Sequence, residues 1–187
     1  DRRLVKLIVE LCDVLAGHDD KLAAFVELFQ DASKRTGSKV LVFSYYADTI
    51  EYLRQNLPDL VSIPDFGGRS AFISGATKSQ VEVIAQRFSP RSKGSRAGAT
   101  TSEIDYLFST DVLSEGQNLQ DCGTLVNFDL HWNPVRMIQR NGRINRLGSE
   151  FSTVRIHNMH PEDNLEEYLN LVKRLNQKIE RIRHTVG

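Results

Sequence analysis

The chain has 187 residues, 40% of them hydrophobic and 26% charged, which suits one domain with a real core and excludes both intrinsic disorder and two domains of average size. Its 24 basic residues balance 24 acidic ones, so an anionic partner would have to meet a local cluster of Lys and Arg rather than a global field. Cys12 and Cys122 lie far apart with no CxxC or Cys/His cluster, no run approaches the ~20 apolar residues of a membrane span, and the first residues do not resemble a secretory leader. A soluble intracellular protein is expected, cytoplasmic by preference or nuclear if eukaryotic, and the stretch reads as one piece of a longer polypeptide.

Taken in chain order, Leu4 to Leu15 and Lys21 to Lys34 carry apolar residues at three-and-four spacing, predicting two amphipathic helices before Gly37. Lys39 to Phe43, continuously apolar from Val40 on, reads as a strand, and Tyr45 to Leu57 returns to helical spacing until Pro58. The unit recurs as Ala71 to Ser74 followed by Lys78 to Phe88, then as Ile104 to Ser109 followed by a short helix or loop. Thr124 to Leu130 followed by Pro134 to Leu147 repeats it again, and a short strand from Thr153 to His157 leads into a helix from Pro161 to about Arg183. The small, basic stretch Ser89 to Ser102 reads as a loop.

Short apolar strands alternating with helices are the mark of parallel strands covered on both faces, so the expected class is α/β with a central, mainly parallel sheet. The whole of 1–187 is taken as one domain, with helical extensions at 1–36 and 161–187. Ligands of such sheets gather at the carboxyl ends of the strands, here just after Phe43, Ser74, Ser109 and Leu130.

Leu130 to Ser149 holds Arg136, Arg140, Arg143 and Arg146 and no Asp or Glu. If Pro134 opens a helix that continues to Leu147, these arginines and Gln139 fall within an arc of ~120°, with Met137, Ile138 and Ile144 pointing elsewhere. Like charges on one face repel, and guanidinium groups fit phosphate oxygens in a fork, so an incoming anion is one reading. A solvated basic face balanced by acids from elsewhere in the fold is the other.

The spacing of Gln139, Arg140, Gly142, Arg143, Arg146 and Gly148 resembles the sixth motif of superfamily 2 helicases. Ser109 to Gln120 is similar to the fifth motif and Val40 to Ser44 to the fourth, in the right order. Phe128 to Pro134 resembles the segment that marks the Swi/Snf branch and its bacterial HepA/RapA-type relatives. The resemblance implies the second, C-terminal RecA-like domain of an ATP-dependent double-stranded DNA translocase or remodeller. It implies Arg143 and Arg146 as arginine fingers, with Gln139, Gly142, Gly116, Glu115 and Asn118 near the nucleotide. It also implies Ser74, Gly75 and Thr110 at DNA phosphates. Trp132 is placed either against DNA or in the core. The loop basics Arg87, Arg91, Lys93 and Arg96 are either further phosphate contacts or simply solvated, and His157 and His160 lack a third metal ligand.

The sequence contains no Gly-x-x-x-x-Gly-Lys-Ser/Thr loop and no Asp-Glu box. ATP and magnesium are therefore expected to be held mainly by an N-terminal RecA-like domain of the same polypeptide, with no metal site on this chain. A strand-separating helicase of the same superfamily and a catalytically inert nucleic-acid-binding module are the alternatives.

Overall fold

A computed structural model describes residues 2–15, 19–35, 39–75, 78–92, 94, 102–114, 117–146, 149–160 and 170–186. Five strands form one sheet: β1 (Val40–Phe43), β2 (Ser70–Ile73), β3 (Tyr106–Ser109), β4 (Thr124–Asn127) and β5 (Arg155–Asn158). All neighbours are parallel, in the order β2-β3-β1-β4-β5. The helices are α1 (Arg2–Leu15), α2 (Asp20–Ser33), α3 (Ala47–Leu60), α4 (Phe66–Arg69), α5 (Lys78–Phe88), α6 (Pro134–Asn141) and α7 (Leu171–Val186), with a 3-10 turn at Asp111–Ser114.

Strand side chains alternate between faces, and each face buries its own cluster. Val40, Val42, Tyr106, Phe108 and Val126 pack with Phe25 and Phe29 of α2 and Ile50, Leu53 and Leu57 of α3. Leu41, Phe43, Leu107 and Leu125 pack on the other side with Val81, Ala85 and Phe88 of α5 and with Ile144. The central strands β1, β3 and β4 are buried along their whole length, as expected of parallel strands sandwiched between helices. Asp19 caps α2 by accepting from the Leu22 N–H at 2.8 Å, and its other oxygen accepts from the Tyr52 hydroxyl at 2.8 Å. Partial burial and that acid raise the Tyr52 phenol to about 12.

Several expected boundaries move. Helix α3 runs through Pro58 to Leu60, because buried Leu53 and Leu57 hold the turn that Pro58 deprives of one N–H. Strand β4 stops at Asn127, three residues before Leu130. The four-residue helix α4 has too few residues to show a periodicity and went unforeseen. The largest correction is at α6, which ends at Asn141 rather than Leu147. Arg143 and Arg146 thus lie on turns beyond the helix, and the single arginine-lined face drawn through all four does not exist. The residues 161–169, at the start of the expected last helix, lie outside the described residues, and α7 itself continues past Arg183 to Val186.

Candidate nucleotide and nucleic-acid interface

Strand β1 leaves toward β2 on one side of the sheet and β4 toward β5 on the other, so the carboxyl ends of β1 and β4 bound the crevice where such sheets take ligands. A buried polar network fills its floor. Asp129 accepts from the Ser44 hydroxyl at 2.5 Å and from the Tyr45 N–H at 2.8 Å. Arg140, which is 0% exposed, donates through Nε and Nη2 to the two oxygens of Asp111 at 2.6 and 3.1 Å. Its Nη1 reaches Asn127 Oδ1 at 3.3 Å and the Asp129 carbonyl at 3.5 Å, and its guanidinium lies over the Phe43 ring. Asn127 in turn donates to Asn158 at 2.8 Å, so one arginine ties the ends of β1, β4 and β5 to the 3-10 turn after β3.

For Arg140 this network decides between the two readings of the arginines in favour of an acid from elsewhere in the fold. Arg140 is satisfied from within the chain by an acid that lies on another element, which a search along α6 alone cannot find. Met137 and Ile144 are buried, whereas Ile138 is exposed.

The helix that carries Arg140 begins as predicted, with Pro134 at its first turn and the Asn133 side chain accepting from the Val135 N–H at 3.0 Å. Gly142 caps its end, its N–H bonded to the Ile138 carbonyl at 2.9 Å. Beyond it, Arg143 is half-buried and its Nη1 donates to the Gln117 carbonyl at 3.3 Å, while the Leu119 N–H donates to the Arg143 carbonyl at 3.1 Å. The fifth-motif and sixth-motif segments are thereby stitched side by side. Arg146 is exposed, with Nε on the Gly142 carbonyl at 3.0 Å. Gln139 is exposed on α6, and Asn118 is partly buried with an Oδ1 that has no hydrogen-bond partner. Glu115 and Gly116 lie outside the described residues.

A second group forms at the carboxyl ends of β2 and β3, where the Thr110 N–H donates to the Ile73 carbonyl at 3.1 Å. That bond sets Thr110 beside exposed Ser74 and Gly75, whose φ of +83° is a conformation that glycine adopts without strain. Trp132 is 61% exposed, so of its two expected placements the core is ruled out. It stacks on buried His131 at 5.4 Å, and Lys178 Nζ of α7 lies over its ring at 5.3 Å. His131 Nδ1 accepts from the Asn133 N–H at 2.9 Å. Burial, with Arg140 and Arg136 nearby and Asp111 and the Asn133 backbone opposing, holds its pKa below the ordinary histidine value.

The loop basics are largely occupied within the chain. Arg87 donates to Ser102 and Arg91 pairs with Glu150, which favours the solvated reading for those two; Lys93 and Arg96 lie outside the described residues. The participants that sequence reading passed over are Asp111, Gln117, Asn127 and Asp129. Asp111 and Asp129 lie just past the ends of β3 and β4 and Asn127 ends β4, where ligand groups are sought, but nothing local says which arginine an acid will face.

Residues 20–148 match the family of the helicase conserved C-terminal domain. An uncharacterized ATP-dependent helicase, YqhH, of Bacillus subtilis (strain 168) is 33% identical over 159 residues, which are 84% of this chain and 25% of that protein. Dicer-like protein 1 of Neosartorya fischeri is 30% identical over 76% of this chain and 9% of its own length, and the RNA polymerase-associated protein RapA of Vibrio parahaemolyticus is 29% identical over 65% and 11%. The chain therefore spans a quarter of these relatives or less. Among solved structures, the C-terminal part of the Fun30 ATPase domain superposes with a TM-score of 0.61 at 21% identity, over 91% of this chain and 53% of that one, a likeness of fold. Its three-layer α/β architecture is thus RecA-like, and the chain belongs to the helicase conserved C-terminal domain family.

Proposed function

We propose that the chain is the second RecA-like domain, from residue 1 to 187, of an ATP-dependent double-stranded DNA translocase of the Swi/Snf type, and that Arg143 and Arg146 are its arginine fingers. The observation that carries this reading is the division of labour among the arginines. Arg140 is buried and held by Asp111 at 2.6 Å, while Arg146 stands exposed on the turn that follows, beside Arg143. The buried pair supports the turn, and the chain beyond it presents the exposed Arg146 toward a phosphate brought from outside.

A planar fork can span two phosphate oxygens and neutralise charge that grows as the terminal phosphoryl group departs. Asn118 Oδ1, buried without a partner, supplies an acceptor for a ribose hydroxyl. Ser74, Gly75 and Thr110 would take backbone phosphates through N–H and hydroxyl donors, as the ends of strands before helices do. These donors suit anions. Magnesium does not fit the same face, because Asp111 already gives both oxygens to Arg140, and no group of three His, Cys, Asp or Glu is placed to hold an ion among the described residues. The ion and the ATP phosphate cradle would belong to a preceding RecA-like domain.

The test is turnover in the full-length protein. Arg146→Ala or Arg143→Ala should lower DNA-stimulated kcat by roughly a thousandfold or more, with a much smaller change in ATP affinity, since a finger acts on charge that appears in the transition state. Lysine at either position should not rescue it. Parental turnover in a folded Arg146→Ala protein would refute the assignment. The 187-residue chain alone should hydrolyse ATP negligibly, and duplex DNA and duplex RNA arms in the stimulation assay identify the polymer.

A further inference from the structure

We infer that Tyr45 and Tyr46 are a base-stacking contact for an unpaired nucleic-acid strand, adjoining Trp132 at the carboxyl end of the sheet. The inference rests on the nucleic-acid reading above and adds to it a kind of contact and two residues. Both rings follow β1 directly and are 48% and 60% exposed, although large aromatic side chains are ordinarily covered. Neither is a stray surface residue. Tyr46 meets Tyr45 edge to face at 5.0 Å, Tyr45 meets His131 edge to face at 4.7 Å, and His131 stacks under Trp132 at 5.4 Å.

The ridge is also held from below. The Tyr45 N–H is bonded to Asp129, and the Tyr46 N–H to the Ser44 hydroxyl, which itself donates to Asp129. Backbone and ring orientation are thus fixed before any ligand arrives, so little conformational entropy remains to be lost on binding. An edge-to-face pair covers the edge of one ring and part of a face of the other, and both tyrosines nonetheless stay exposed.

Charge narrows the partner. Two carboxylates near the ridge are occupied, Asp129 by the Ser44 hydroxyl and the Tyr45 N–H and Asp111, which acts on His131, by Arg140, while Lys178 lies over Trp132. Exposed rings with a cation alongside match a base and the phosphate one sugar away, the combination by which single strands are bound without sequence preference. An apolar protein surface would not need the cation. A base inside an intact duplex has no free face to offer these rings, so the contact favours an unpaired or frayed strand.

The experiment measures anisotropy of a labelled single strand, the same sequence as a duplex, and inorganic polyphosphate as a competitor without bases, at several salt concentrations. Tyr46→Ala should weaken single-strand binding about five- to hundred-fold, the range for one stacked base, and leave the salt dependence unchanged, because no phosphate contact is lost. Tyr46→Phe should retain most of the affinity, and polyphosphate should compete equally against both variants. If the unmodified chain binds no nucleic acid at any salt, the functional reading above fails and this one with it. If the chain binds and Tyr46→Ala and Tyr45→Ala bind equally well, or the salt slope shifts by about one, or only free ATP binding is lost, the stacking contact is overturned while that reading stands. Circular dichroism separates a lost contact from a lost fold, and the Phe variant keeps the question answerable if Ala unfolds.

Discussion

Removing Asp111 tests whether the buried Arg140 pair holds the carboxyl ends of the strands together. Asp111→Ala would leave a guanidinium that is 0% exposed with only two longer contacts, to Asn127 Oδ1 at 3.3 Å and the Asp129 carbonyl at 3.5 Å. Breaking a buried pair by deleting one partner costs about 3–5 kcal/mol, because the remaining charge is neither solvated nor neutralised. For a chain of this size a loss of that order lowers Tm by roughly 6–20 °C, or the urea midpoint by about 1.5–2.5 M at a slope near 2 kcal/mol/M. The double substitution Asp111→Leu with Arg140→Met removes both charges and keeps apolar volume, so it should lie far closer to the parent than either single change, and a double-mutant cycle should give a large favourable coupling. Urea unfolding followed by circular dichroism and by Trp132 fluorescence reads all five proteins, the parent, Asp111→Ala and the three variants of the cycle. A loss below about 1 kcal/mol for Asp111→Ala, the value of a solvent-exposed pair, would mean that Arg140 finds water or another acid, and the reasoning would fail.

Acidification should destabilise the fold between pH 7.5 and 5.5. Burial lowers the pKa of His131, with Arg140 and Arg136 adding to it, and burial lowers that of His157, with Arg35 and Arg155 adding to it. The unfolded chain then binds more protons, and stability present above the ordinary value of about 6.5 is lost as pH falls through the folded one. His131→Asn, which keeps an acceptor for the Asn133 N–H and cannot titrate there, should flatten part of this slope in urea midpoints; a stability that rises on acidification would contradict it. Burial pushes the Cys122 thiol up to about 12, so a peptide containing Cys122 should remain unalkylated at pH 8 until the chain unfolds, and rapid native labelling by mass spectrometry would contradict that. Gly75→Ala should cost about 1 kcal/mol, since φ there is +83° and a Cβ meets nothing within 4 Å, leaving backbone strain alone. A stability gain in the same unfolding assay would show that the turn relaxes.

Several features were legible because their causes are local. Val40 to Phe43 is apolar on both faces, which a strand covered by helices on each side explains, and Pro134 with Asn133 announces the start of α6 through capping chemistry that needs no distant partner. The order of the helicase motifs is likewise a property of the chain as written. The sheet order β2-β3-β1-β4-β5 is not, because all five strands are four residues long and pair with partners far along the chain. The end of α6 escaped for a related reason: the arginine periodicity runs on to Arg146, but the chain leaves the helix at Gly142 so that Ile144 can enter the core at 0% exposure and Leu119 can bond the Arg143 carbonyl. Arg140 and Arg146 look alike in the sequence. Whether a guanidinium is buried against Asp111 or exposed on a turn depends on where an acid 29 residues away along the chain is placed, and only long-range packing brings the two together.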